Sequence, residues 1–187
     1  MDFKFLDIIG QGSVGNVCLY GDLVIKIIEI SDNWYSIEDF RRESENAVYL
    51  GRMGIGPKVN SVGICDQCYG YIVMEKLYPV NKSLFYMVDS IPAGSRILSD
   101  PTIHFIHKSL LVLIKNKLLE LHQLGYTHRD LDLRYLLNIM NDVHGNLKFI
   151  DFYSTSKDYI DGDLCVLEEI DRLLLVAPDK QGFVNII

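Results

Sequence analysis

Three groups of residues could do chemistry on a phosphate. The first is Gly10-Gln11-Gly12-Ser13-Val14-Gly15-Asn16-Val17, a G-x-G-x-x-G-x-V string between two runs of strand-forming residues. Glycines at a hairpin tip let backbone N–H groups approach phosphate oxygens with no Cβ in the way, and Val17 can offer an apolar face to a base. In a dinucleotide-binding fold such glycines would run straight into a helix, whereas here a strand follows. Taken alone, the string also fits ordinary turn geometry. The second group is Lys26, one ammonium at the end of the apolar run Leu23-Val24-Ile25, together with Glu43. Glu43 shares a helical face with Phe40, Ala47 and Leu50, so its carboxylate would point inward, and burying either charge is costly unless the two pair. Glu38 and Glu45 are alternative partners, and the shared apolar face favours Glu43. The third group is Tyr126-Thr127-His128-Arg129-Asp130-Leu131, followed by Phe149-Ile150-Asp151-Phe152. Two carboxylates on successive loops suit phosphoryl transfer, one orienting the attacking hydroxyl and the other holding Mg²⁺ against the phosphates. Either aspartate alone also reads as a helix cap or turn residue.

These groups need elements to position them. The runs Phe5 to Ile9, Asn16 to Tyr20 and Leu23 to Ile28 read as a three-stranded meander. Ser36-x-x-Asp39 is a capping-box start for a helix that continues to Gly51 and Gly54. Two further strands are expected over Ser61 to Cys65 and Gly70 to Glu75. Beyond Leu77 the pattern becomes helical. Asp100 reads as an N-cap with Pro101 at the first helical position, and Ile103, Ile106, Leu110, Leu113, Leu118 and Leu121 mark one apolar stripe. Short strands are expected around Ile139-Met140 and Leu147 to Ile150, and a last helix opened by Asp163 along Leu164, Leu167, Ile170 and Leu174. The fold class is α+β, a sheet-rich part over 1–75, a joint at 76–81 and a helical part over 82–187.

Composition narrows the function classes. The 187 residues are 49 % hydrophobic and 23 % charged, which is globular composition. A formal charge of −7 disfavours general attraction to nucleic acid or anionic lipid, so no direct nucleic-acid partner is expected. The longest apolar stretches are interrupted by Lys115 and Lys117, well short of a membrane span. No secretory signal is visible at the amino terminus, and four scattered cysteines fit a reducing compartment, so a cytoplasmic location is expected. Cys65-x-x-Cys68 lacks the second pair that a zinc site needs and reads as flanking a hairpin turn at Asp66-Gln67.

On these three groups the sequence resembles the protein kinase superfamily over nearly its whole length. The resemblance implies a bilobal fold with a five-stranded N-lobe plus one helix and a reduced helical C-lobe. It implies a glycine-rich loop at Gly10, Gly12 and Gly15, an ATP-positioning Lys26 paired to Glu43, a catalytic loop at His128-Arg129-Asp130, and Asp151 as the metal-binding aspartate. Gly70 to Leu77 looks like the last N-lobe strand running into the hinge, with Met74 as gatekeeper and the backbone of Glu75 and Leu77 facing adenine. The cofactors implied are ATP and Mg²⁺.

Departures from the family pattern are local. The family's second metal-binding asparagine ordinarily stands five residues after the catalytic aspartate, where this chain has Tyr135. Asn138 has the family's spacing to Gly145 and Asp151, so a three-residue insertion with Asn138 as ligand is favoured over replacement of the ligand by Tyr135. Asp132 stands where serine/threonine kinases usually have a phosphate-contacting lysine, a charge that Arg134 is placed to supply. Tyr153 replaces the glycine after Asp-Phe. The chain after Asp151 is short, and Asp163 followed by Leu164-Cys165-Val166 looks like the helix start that follows a very short activation segment in Bud32-type and RIO-type atypical kinases, where Asp163 would brace the catalytic loop backbone. Gly54-Ile55-Gly56-Pro57-Lys58-Val59 fits the same group, and small viral and bacterial-effector kinases, which act in the host cytoplasm, have similar truncations.

The leading expectation is a minimal Ser/Thr protein kinase in which Asp130 accepts the hydroxyl proton and Lys26, Asn138 and Asp151 hold Mg-ATP. It takes a protein substrate, with a partner protein to activate it or present that substrate. Asp132, Tyr135 and Tyr153 motivate a pseudokinase or regulatory binding module as an alternative. The absent peptide platform leaves a small-molecule kinase as a third reading.

Overall fold

A computed structural model describes residues 7–12, 14–31, 33–66, 68–88, 102–157 and 160–186. The chain divides into two compact units, Met1–Tyr78 with Met140–Thr155, and Pro79–Ile139 with Ser156–Ile187.

The first unit is built on an antiparallel meander. Strands β1 (Ile8–Gln11), β2 (Gly15–Tyr20) and β3 (Leu23–Glu29) are followed by helix α1 (Ile37–Arg52), then β4 (Val59–Cys65) and β5 (Tyr69–Glu75). The sheet order is β1-β2-β3-β5-β4, so β5 returns to pair with β3 and leaves β4 at an edge. Five strands with one helix inserted after the third is the order expected from the sequence; of the first expected run, Phe5 to Ile9, Ile8 and Ile9 are in strand β1, and Phe5 and Leu6 lie outside the described residues. β3 is the central Val/Ile-rich strand, and Ile25 and Ile28 are fully buried. Gly15 is fixed by packing. A Cβ there would lie 2.3 Å from the backbone oxygen of Ile27 on β3, so only glycine lets β2 approach its neighbour this closely.

Helix α1 starts where local chemistry tells it to. The Ser36 side chain accepts from the Asp39 backbone N–H while the Asp39 carboxylate accepts from the Ser36 backbone N–H, a reciprocal capping box worth about 1 kcal/mol. Phe40, Glu43, Ala47 and Leu50 are all buried, as their spacing requires. At its far end Gly51 lies against Pro57, whose oxygen would be 2.4 Å from a Cβ.

β6 (Tyr78–Pro79) comes next, then a short 3-10 turn at Lys82–Leu84. The second unit holds β7 (Phe85–Val88), β8 (Thr102–His107), helix α2 (Lys108–Gln123), helix α3 (Leu164–Leu175) and β11 (Phe183–Asn185). β9 (Ile139–Asn141) and β10 (Leu147–Phe149) are the expected pair of short strands, forming with β6 a three-stranded sheet in the order β10-β9-β6.

The structure corrects the helical reading beyond Leu77. Asp100 and Pro101 lie outside the described residues, and Ile103 and Ile106 belong to strand β8 rather than to a helix. Thr102-Ile103-His104-Phe105-Ile106 is rich in β-branched and aromatic residues, and β8 is paired on both sides in the order β11-β8-β7. Helix α2 begins only at Lys108, where the His107 ring accepts the Ser109 backbone N–H. Its buried stripe is Leu110, Leu111, Ile114, Leu118 and Leu121, while Leu113 is turned outward and 49 % exposed. α3 buries Ile170 and Leu173 and is joined to α2 by Lys108, whose ammonium donates to the Leu174 carbonyl at 2.8 Å, and by a Lys115–Asp171 ion pair. Among the described residues no helix is long and apolar enough to cross a membrane.

Candidate active site

In the first unit, antiparallel pairing puts the phosphate-facing candidates on one row. Gly10 of β1 stands opposite Val17 of β2, Val17 opposite Lys26 of β3, and Lys26 opposite Ile72 of β5. Directly opposed residues share a sheet face, so Val17 and Lys26 project to the same side. Two residues along, Val24 is opposite Met74, which shares that face. Gly12 closes the turn by donating its N–H to the Gly15 carbonyl at 2.9 Å. Glu75 ends β5 with its N–H on the Lys58 carbonyl at 2.9 Å, its side chain accepting the Lys58 N–H at 3.1 Å, and Leu77 follows between β5 and β6.

Lys26 has two anionic partners. Its Nζ is 2.6 Å from Glu43 Oε1 and 3.2 Å from Asp151 Oδ1. Of the three glutamates considered on α1, Glu43 is the one Lys26 meets. Burial by itself pulls the Lys26 pKa down, but the two carboxylates and their hydrogen bonds outweigh it, so the net shift is upward from 10.5. The ammonium therefore contributes stability that is fully present below pH 10.5 and is lost as pH rises past it. We expect the gap in unfolding free energy between the wild type and Lys26→Met, measured by urea titration, to stay flat from about pH 7 to 10 and to shrink at higher pH. A gap that narrows between pH 7 and 9 contradicts this.

Asp151 sits in the segment after β10, with φ of 61°. Aspartate is one of the few non-glycine residues that tolerate this left-handed conformation. The segment is pinned to the rest of its unit. The Phe149 N–H donates to the Ile55 carbonyl at 2.8 Å, and Lys148 Nζ to the Gly54 carbonyl at 3.1 Å. The buried Phe152 ring lies on Gly56, where a Cβ would come within 2.6 Å of it. Tyr153 packs on Tyr35, and Asn46 of α1 donates to the Thr155 carbonyl at 3.2 Å.

The second unit carries the loop before β9. Asp163 is fully buried at the start of α3, yet its side chain does not cap that helix. It accepts the backbone N–H groups of His128 and Arg129, both at 2.7 Å, and lies 3.0 Å from His122 Nε2. This clamps Arg129 at φ of 66°, a conformation that a long side chain does not adopt unaided. Asp130, next in the chain, is exposed. Asn138 returns to it, with Nδ2 donating to the Asp130 carbonyl at 2.7 Å and to Oδ2 at 3.0 Å. Between them, residues 132–137 form a small closed loop whose neck is the Asp132–Leu137 bridge. Tyr135 lies on that loop, 37 % exposed, with the Arg134 guanidinium 5.8 Å above its ring. Arg134 is held by Asp132 through its Nη2 at 2.9 Å and Nε at 3.3 Å. Burial would raise the Asp132 carboxyl, but these bonds and the charge beside it bring it below its usual value.

Each unit offers hard oxygen donors of the kind a small divalent cation selects. Asp151 supplies a carboxylate. In the other unit Asn138 spends its Nδ2 on Asp130, so the atom it has left to offer is the amide oxygen. The Lys26 ammonium beside Asp151 suits a phosphate oxygen.

Two positioning contacts were not visible from sequence, the bond from Tyr35 to Glu43 and that from Asn46 to the segment after Asp151. An aromatic residue directly before the capping serine is the only local sign of the first.

No protein-family model matches the chain, and no curated protein matches it. Among solved structures it is similar to the Cydia pomonella granulovirus kinase PK-1, with a TM-score of 0.54 and 15 % sequence identity. The match covers 81 % of this chain and 53 % of that one, so the chain spans about half the length of the viral kinase. With the five-stranded sheet and its inserted helix, this likeness gives the chain a reduced protein-kinase-like fold.

Proposed function

We propose that this chain is an ATP-dependent phosphotransferase, a Ser/Thr protein kinase of minimal type, with an N-lobe over 1–75, a hinge over 76–81 and a C-lobe over 82–187. The observation that carries the reading is the Lys26 ammonium bound by both Glu43 and Asp151. A lone strand lysine has no reason to collect two carboxylates 17 and 125 residues away. A phosphate-binding lysine has one, because it must be charged and aimed.

In this reading Glu43 orients Lys26, Lys26 contacts the phosphates, and Gly10, Gly12, Gly15 and Val17 cover them. Met74 with the backbone of Glu75 and Leu77 borders the base. Asp151 and Asn138 hold Mg²⁺, which when bound neutralises charge on the phosphates. Asp130 accepts the proton of the attacking hydroxyl, and Asn138 fixes the orientation of its carboxylate. The substrate is a protein hydroxyl, met in the cytoplasm with the help of a partner that presents it.

A labelled-ATP assay with Mg²⁺ and generic protein substrates tests the proposal. Transfer is expected, falling by about 10² or more in Lys26→Met. A wild-type protein that transfers nothing favours the reading as a binding module. One observation supports that second reading, since Asp132 engages the guanidinium that would otherwise replace the missing phosphate-contacting lysine.

The choice between Asn138 and Tyr135 is settled by paired variants. Asn138→Ala is expected to raise the Mg²⁺ concentration needed for half-maximal turnover by about tenfold or more. Tyr135→Phe is expected to leave it within about twofold, because the ring's packing with Arg134 survives. The reverse ranking overturns the assignment.

A further inference from the structure

We infer that Tyr35 and Tyr153 form a clasp that positions Glu43 and Asp151 on Lys26. This inference rests on the phosphotransfer reading for its kinetic consequence, though the contacts themselves do not.

Tyr35 is wholly buried, and its hydroxyl donates to Glu43 Oε2. Glu43 Oε1 faces Lys26, so the carboxylate is held at both oxygens and cannot rotate away without breaking a buried hydrogen bond. The same ring packs on Tyr153, two residues after Asp151. The two tyrosine centroids are 5.3 Å apart, with planes tilted by 36°. Arg42, one residue before Glu43 on α1, places its guanidinium 5.8 Å from the Tyr153 centroid. Asn46, one turn further along, holds the Thr155 carbonyl. Arg42, Glu43 and Asn46 thus grip Lys26 and the segment after Asp151 together, and Tyr35 links the two grips.

The position that Tyr153 fills explains why a ring there matters. Asp151 has a left-handed backbone, and the residue two places on would be conformationally loose if it were glycine. A tyrosine packed on Tyr35 removes that freedom and restrains the segment that carries Asp151. Tyr35 bonds Glu43 and packs on Tyr153, so it is a positioning residue that acts through those two side chains.

Amide hydrogen exchange of peptides covering 149–157 reads the clasp independently of catalysis. Tyr35→Phe removes the hydroxyl and keeps the ring. Tyr153→Gly removes the stack without emptying the core, and Tyr153→Phe restores the ring. Exchange in this segment is expected to quicken by about tenfold or more in Tyr153→Gly and to return to within about twofold of wild type in Tyr153→Phe. In the transfer assay, Tyr35→Phe and Tyr153→Gly are expected to lower kcat by about tenfold or more while the KM for ATP stays within about threefold. Unchanged exchange in Tyr153→Gly overturns the clasp, as does a loss of thermal stability with no change in kcat. Quickened exchange in a chain that transfers no phosphate supports the clasp and removes the phosphotransfer reading instead.

Discussion

On the proposed phosphotransfer reading, Asp130→Asn is expected to lower kcat by about 10² to 10⁴ and to leave the KM for ATP within about threefold, because it would remove the proton acceptor and little else. The substitution is nearly isosteric, and Asp130 is exposed, so no buried packing is disturbed. Its local partner makes the effect sharper. Asn138 Nδ2 donates to Oδ2 of the aspartate, and an amide at 130 would turn either a second N–H donor or a weaker neutral oxygen towards it. The backbone half of the contact, Asn138 to the Asp130 carbonyl, is unaffected and keeps the loop closed. Steady-state kinetics at saturating Mg²⁺ is the measurement. A kcat within about threefold of wild type would remove Asp130 as the base.

Asp163→Ala is expected to destabilise the chain by about 3–5 kcal/mol, a large share of the 5–15 kcal/mol that holds an ordinary domain together. The carboxylate is fully buried and takes two backbone N–H groups and a histidine ring nitrogen. Truncation leaves the two backbone donors without their acceptor, at about 1–3 kcal/mol each. It also releases Arg129 from its left-handed conformation, whose Cγ lies within 2.5 Å of where a Cβ on Gly162 would be. Asp163→Asn, which keeps one acceptor oxygen, falls between the two. Denaturant unfolding gives the numbers, and a loss below about 1 kcal/mol for Asp163→Ala would show that the brace is dispensable.

What could be read from the amino acids alone was whatever depended on near neighbours or on helical and strand periodicity. The Ser36–Asp39 box is a three-residue signal and its geometry is local. Glu43 was separable from Glu38 and Glu45 because only it shares the face of Phe40 and Leu50. Asn138 was singled out by its distance to Gly145, which a short hairpin sets, and the structure brings its side chain onto Asp130. The strand over Thr102–His107 was hidden for the opposite reason. Ile103, Ile106 and Leu110 repeat at a spacing that a helix also satisfies, and the partner that decides the matter, Phe183–Asn185, is far along the chain. The stack of Tyr35 on Tyr153 left no trace in either neighbourhood, since each ring taken singly is an ordinary apolar side chain.

The seat of Phe152 on Gly56 bears on how this chain can diverge. With the ring 2.6 Å from any added methyl group, a change at either position is constrained by the occupant of the other. Descendants of this sequence can therefore enlarge residue 56 only together with a smaller residue 152, and the two sites drift as a coupled pair although 96 positions apart in the numbering.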